Sequence, residues 1–261
     1  MSVFNAKTHI LMVRRQRHYM ENEVLPLFVL PMVLFPGEIQ ELRVFEPRYR
    51  QMLDTCILDE RPFGLVMNDP FEPSNGWDGP RRHGCEAIIV NHETRGSNHF
   101  ITVMGGRRFF VERVIEPALP PFHDPEIAQH FPLEGVLPDI QQLLDHIPDD
   151  HPHQRLYISA EVKYLDLGES LTQKQQDTLR SVLAEVIYQA AENMAMDTSM
   201  VEDWVHALCS DRINEHPHSL YSVAAICLEE LEQRQQLLAC ESRDEAMAEL
   251  LQHLRPSAND A

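Results

Sequence analysis

Three histidines and three aspartates crowd into "DHIPDDHPH", residues 145–153, among them His146, His151 and His153 with Asp149 and Asp150. Imidazole and carboxylate are the ligands that zinc or manganese takes, so a metal-dependent hydrolase is one reading to weigh. Pro148 and Pro152 argue against it. They impose an extended, surface-like backbone, and no regular element holds the rings at fixed spacing. A second His-Pro-His at 216–218 falls in a turn between helical segments. The stretch reads as a solvated acidic loop, with His146, His151 and His153 as the only metal candidates; no cofactor is expected.

Other chemistry is excluded by what is missing. The only lysines are Lys7, Lys163 and Lys174, and no Gly-Lys dipeptide exists, so there is no phosphate-binding P-loop. G-x-S-x-G, H-E-x-x-H and G-x-G-x-x-G are absent too. A Ser–Lys dyad would need a lysine from the leader, a strand or a first helical turn, none of them a desolvated base. "GGRRFF" (105–110) could cradle an anion, but a Gly-Gly between two strands reads first as a turn. Arg48 and Arg50 could hold an anion as well. The plainer role is to anchor a helix start through Glu46 or a backbone carbonyl.

Charge narrows the partners. Residues 1–117 hold 14 Lys/Arg against 15 Asp/Glu, and residues 118–261 hold 8 against 26, for a net charge of −19. The second half repels a phosphate backbone and the first hardly attracts one, so nucleic acid is a poor partner. Pro26, Pro31 and Pro36 interrupt the only long apolar run, which excludes a spanning helix there. Residues 1–24 carry Lys7, Arg14, Arg15 and Arg17 without the features of a secretory signal, and read as a disordered leader. Five scattered cysteines with no C-x-x-C pair fit a reducing compartment, so a cytoplasmic location is expected.

The elements that would position any site fall into two halves. From Leu25 to about Leu167 the apolar residues alternate as in half-buried strands. Strands are expected at Leu25–Leu30, around Leu42–Val44, at Phe63–Met67, Cys85–Thr94, His99–Met104, Arg108–Ile115 and Tyr157–Leu167. Pro36-Gly37 suits a type II turn, and Gly96-Ser97-Asn98 a hairpin. Gly105-Gly106 reads as another turn, and Asp69–Arg82 as a loop. Pro47 opens a one-sided helix carrying Tyr49, Met52, Leu53, Cys56 and Ile57. Pro117–Arg155 is an irregular, proline-rich excursion with one short helix near Ile140–Ile147. After Gly168 the period becomes helical. Capping boxes are expected at Thr172/Gln175, Ser199/Glu202 and Ser242/Glu245, with an apolar stripe from Leu179 to Met194 and one long helix over Ser219–Leu238. Pro256 should stop the last helix.

"LPLFVLPMVLFPGEIQELRVFEPRYRQML" (25–53), "RPFGLV", "GGRRFFVERVIE" and "AEVKYLD" resemble, in order, the N-terminal substrate-binding domain of ATP-dependent Lon proteases. The Leu-Pro-Leu-Phe opening, the Phe-Pro-Gly turn and the Phe-Glu-Pro-Arg-Tyr-Arg knot are the specific parts. The resemblance implies an α+β fold: an N-terminal PUA-like β pseudobarrel with one packed helix over 25–168, then an all-helical C-terminal subdomain over 169–256 and a tail from 257. It covers neither the ATPase nor the peptidase domain of Lon. What it implies is a non-enzymatic module that recognises unfolded polypeptide or one protein partner in proteolysis or quality control, with no membrane role. Phe45, Arg48 and Tyr49, at the strand-to-helix corner, are the candidate contact residues; for Tyr49 a core position is the stronger reading. The alternative is a PUA-like RNA binder, for which Arg81, Arg82, Arg107 and Arg108 are the paired basic residues beyond the leader.

Overall fold

The structure is a computed structural model that describes residues 23–130, 137–166, 168–194 and 196–254. The expected leader up to residue 22, Leu167, Pro256 and the tail lie outside the described residues. Six strands run β1 Glu23–Leu30, β2 Ile39–Val44, β3 Phe63–Ser74, β4 Trp77–Arg95, β5 Asn98–Ile115 and β6 Ser159–Leu165. Their order is β2-β5-β4-β3-β1-β6, and β5 also pairs with β6, so five strands close into a ring with β2 attached outside it. Among the described pairings only β1 and β3 run parallel.

Prolines and glycines shape this sheet locally. Phe35, Pro36, Gly37 and Glu38 form the expected turn: the Glu38 N–H donates to the Phe35 carbonyl at 3.0 Å, and Gly37 has φ +81°. The expected loop over Asp69–Arg82 is instead a hairpin. Asn75 and Gly76, with φ 45° and 79°, make a tight turn of the kind that joins twisted strands. Pro70 and Pro73 are tolerated because this outer part of β3 pairs only with β4.

Gly105-Gly106 does not turn the chain either. β5 runs straight through it, carrying β2 along 99–104 and β6 along 108–115. Gly105 is there for close approach. Its N–H donates to the Glu38 carbonyl and its carbonyl accepts from Gly37, each at 2.8 Å, and a Cβ would stand 1.9 Å from the Phe35 oxygen.

Both faces of the sheet are buried. Leu25, Leu27, Val66, Phe109 and Val111 make one cluster. On the other face Phe28, Phe63 and Leu65 meet Tyr49, Met52 and Leu53 of α1 (Pro47–Leu58), and this core continues into the C-terminal helices. The excursion has its own small core of Leu119, Ile127, Leu143 and Leu156, contributed partly by α2 (Pro125–Ala128) and α3 (Ile140–Leu144). Gln51 of α1 holds it down by bonding the Gln154 carbonyl and the Leu156 N–H, both at 2.8 Å.

The remaining helices are α4 Gln173–Asn193, α5 Thr198–Arg212, α6 His218–Cys227, α7 Leu231–Ala239 and α8 Arg243–His253. Capping boxes at Thr172/Gln175 and Ser242/Glu245 are formed. The one at Ser199 is not: α5 starts two residues earlier than expected, and Asp197 accepts from the Ser199 and Met200 N–H groups. The α4 stripe narrows to Leu179, Leu183, Ile187 and Ala191, leaving Ala190 and Met194 exposed. The single helix expected over Ser219–Leu238 is two. Leu228 and Glu230 are extended, and Arg234 donates to the Ala225 and Leu228 carbonyls that the break releases.

Two buried arginines fasten this helical layer to the sheet. Arg234 also reaches the Val33 carbonyl at 3.1 Å and both Glu38 oxygens at 2.8 and 2.7 Å. Arg108, 2% exposed, donates to the carbonyls of Leu238 and Cys240 at the end of α7, at 2.9 and 2.6 Å, and to that of Asp166 at 3.2 Å. Its charge answers the negative end of the α7 dipole.

His218 sits in the same seam; a methyl group on Gly37 would lie 3.2 Å from its Nδ1. Burial, with His216 beside it, lowers its pKa to about 4. The unfolded chain takes up this proton near the ordinary pKa of about 6.5 and the folded chain refuses it. The stability is therefore present above 6.5 and lost as pH falls towards 4, by up to about 3 kcal/mol. Melting temperature measured from pH 7 to 4.5 should fall more steeply in the parent than in His218→Gln.

Candidate functional site

The Phe-Glu-Pro-Arg-Tyr-Arg knot lies where β2 ends and α1 begins. Pro47 takes the first helical position, so its missing N–H breaks no intrahelical bond. The knot then fans three side chains in different directions. Tyr49 points inward. It is 2% exposed, donates to the Val29 carbonyl at 2.8 Å and packs on Phe28, and burial pushes its phenol far above the ordinary range. Phe45 points outward and is 52% exposed.

Arg48 lies between them. Its guanidinium carbon stands 3.7 Å from the Trp77 ring centre and 4.2 Å from that of Tyr49, and its Nε donates to Glu46 at 3.0 Å. The expected anchoring through Glu46 is present. A planar guanidinium held between two rings is pre-organised, with its faces covered and its N–H edge left to meet an acceptor.

Trp77 comes from the hairpin that sequence reasoning read as a loop. Its Nε1–H donates to the Leu119 carbonyl at 3.0 Å, and Asn75 donates to that of Pro117 at 2.9 Å, so the excursion holds the hairpin tip in place. The knot, the hairpin and the excursion together border an open cleft of about 380 Å³. Leu30, Pro31, Arg48, Asn68, Trp77 and His123 line it. This mixture of apolar walls and a few fixed polar groups suits one or two side chains of an extended peptide. The Asn-Gly dipeptide at 75–76 was the signal that could have located Trp77.

Away from the cleft the sheet offers backbone as well as side chains. Among the described pairings, β2 is bonded only to β5, and β4 from Ile88 to Arg95 only to β5. Each has one open edge. Ile39 on β2 is 62% exposed, and Phe71 on β3 is 90% exposed.

Of the three histidine candidates, His151 and His153 lie ring against ring, centroids 4.8 Å apart, while His146 packs on His130 instead. The His151 Nδ1 lies 2.6 Å from the His153 carbonyl oxygen, and the His146 Nδ1 lies 2.7 Å from that of Gln142. Among the described residues no three His, Cys, Asp or Glu gather as a metal would require. Three of the four paired basic residues are engaged internally: Arg81 bridges both Glu232 oxygens, Arg107 bridges both Glu86 oxygens, and Arg108 is buried under α7, while Arg82 is exposed. That leaves little of the basic stripe that an RNA backbone needs. No helix among the described residues is long and apolar enough to cross a membrane.

Compared with known families, residues 24–255 match the ATP-dependent protease La (LON) substrate-binding domain. Among solved structures, the Lon N-terminal domain protein from Xanthomonas campestris has a similar fold, with a TM-score of 0.51 at 20% identity over 88% of this chain and 98% of that one. The N-terminal domain of a Mycobacterium avium complex Lon protease aligns over 89% and 98% at 14% identity, with a TM-score of 0.48. No curated protein matches the chain.

Proposed function

Because this chain belongs to the family of Lon substrate-binding domains, we propose that it is a non-catalytic module that captures unfolded or partly folded polypeptide in the cleft beside Arg48. The observation that carries this reading is the Arg48 guanidinium stacked between Trp77 and Tyr49 at the mouth of an open cleft. An extended client adds its backbone to an open strand edge, as strand-adding domains do, and places side chains against Phe45, Arg48 and the apolar wall. Tyr49 acts from behind, by holding Arg48 flat. Recognition is the whole task on this reading, and cleavage belongs to another protein. Five free cysteines, four of them buried, suit work in the cytoplasm.

The test is fluorescence anisotropy of a labelled, permanently unfolded protein titrated with this chain without ATP, at low and moderate salt. Micromolar binding that survives the added salt is expected, because apolar and strand-edge contacts are little screened. The double variant Phe45→Ser/Arg48→Gln should bind roughly tenfold more weakly, as loss of one or two interface anchors does, while keeping its thermal transition. Unchanged capture by a folded variant would sink the assignment.

A further inference from the structure

The helical half carries a second surface that client capture does not use. Residues 181–210 hold Glu185, Glu192, Asp197, Glu202 and Asp203 and no lysine or arginine. The same stretch forms the α4–α5 hairpin, whose tip leaves Met194 73%, Met200 66%, Trp204 52% and Met196 43% exposed. The inward face of α5 is already taken by Val201, Val205 and Cys209. Met200 and Trp204, one residue earlier in each turn, stand together on the neighbouring face. Three methionines and a tryptophan left in water, in a stretch with five acids and no lysine or arginine, are a surface awaiting cover.

We propose that this tip is the docking site of a basic amphipathic helix from a partner protein. Methionine is flexible and polarisable and adapts to the apolar face of a helix, and tryptophan is a common anchor at such contacts. The carboxylates select lysine or arginine on the helix flanks. Other occupants fit worse. A second copy would bring the same acids against themselves, and nucleic acid or an anionic membrane would be repelled.

The probe is a fluorescein-labelled peptide with leucine at i, i+3, i+4 and i+7 and lysine elsewhere, titrated with the full chain. A peptide of the same pattern with glutamate for lysine is the control. The lysine peptide should bind in the micromolar range, at least tenfold more weakly to Met200→Ser/Trp204→Ser and more weakly at high salt. The glutamate peptide should not bind, and Phe45→Ser/Arg48→Gln should leave the lysine peptide's affinity unchanged, separating this surface from the cleft. Both serine substitutions are at exposed positions, so the helical circular dichroism should be retained. Equal binding to the serine variant, or equal binding of the glutamate peptide, overturns the proposal. So does a concentration-dependent dimer of the parent that the serine variant loses, because that would assign the tip to a second copy.

Discussion

Replacing Arg108 with methionine should cost about 3–5 kcal/mol of stability, a large part of the 5–15 kcal/mol typical of a folded domain. The side chain is fully enclosed, and its three acceptors are main-chain carbonyls of Leu238, Cys240 and Asp166. A buried salt bridge can be exchanged for an apolar pair with little loss. Here no such exchange exists, because the Leu238 and Cys240 carbonyls stay behind, buried and without this donor. Hydrogen bonds to charged groups contribute about 1.5–3 kcal/mol each, offset in part by no longer having to desolvate the guanidinium. Lysine should fall between the two, since one ammonium lacks the flat fork that meets carbonyls on two sides. Urea denaturation followed by circular dichroism measures the loss. A cost below about 1 kcal/mol would show that the end of α7 is satisfied without Arg108.

The substitution Gly105→Ala should be nearly as damaging, by about 2–4 kcal/mol, although it adds a single methyl group. That methyl would stand 1.9 Å from the Phe35 carbonyl oxygen, a backbone atom that cannot swing aside. Relief requires the Phe35–Glu38 turn to lift off β5 and give up both of its 2.8 Å bonds to Gly105. Glu38 leaves with it, and Glu38 is the carboxylate that holds Arg234. The damage therefore reaches the helical layer. Gly96→Ala is the matched control: nothing lies within 4 Å of the added Cβ, and only the positive φ of 60° is strained. It should cost about 1 kcal/mol. Comparable midpoints for the two variants in urea would refute the steric argument.

The contrast between these glycines explains what could be read from the chain alone. The Pro36-Gly37 turn, the Pro47 helix start and two of the three capping boxes rest on chemistry within four residues, and they formed as expected. Gly105 looked like a turn because its real cause, the Phe35 carbonyl, lies seventy residues away. The break between α6 and α7 was invisible for the same reason: apolar periodicity continues across it, and Arg234 makes it tolerable through Val33 and Glu38. At the hairpin, Pro70, Pro73 and Pro80 masked the Asn75-Gly76 turn signal. The candidate site divided likewise. Phe45, Arg48 and Tyr49 stood out as a local knot, whereas Trp77, which completes the stack, arrives by tertiary packing.

Ring closure also sets an order of events during synthesis. β1 emerges early, yet its first residues pair with the last strand, Glu23 opposite Val162. At ordinary elongation rates β6 follows on the order of ten seconds later. Until then the barrel is an open sheet, with the Glu23–Pro26 stretch of β1 waiting for its partner and Arg108 without the helix end it will cap. On the function proposed above, a polypeptide that grips incompletely folded chains must itself spend its first seconds as one, and the nascent state that its own kind would recognise is part of its biogenesis.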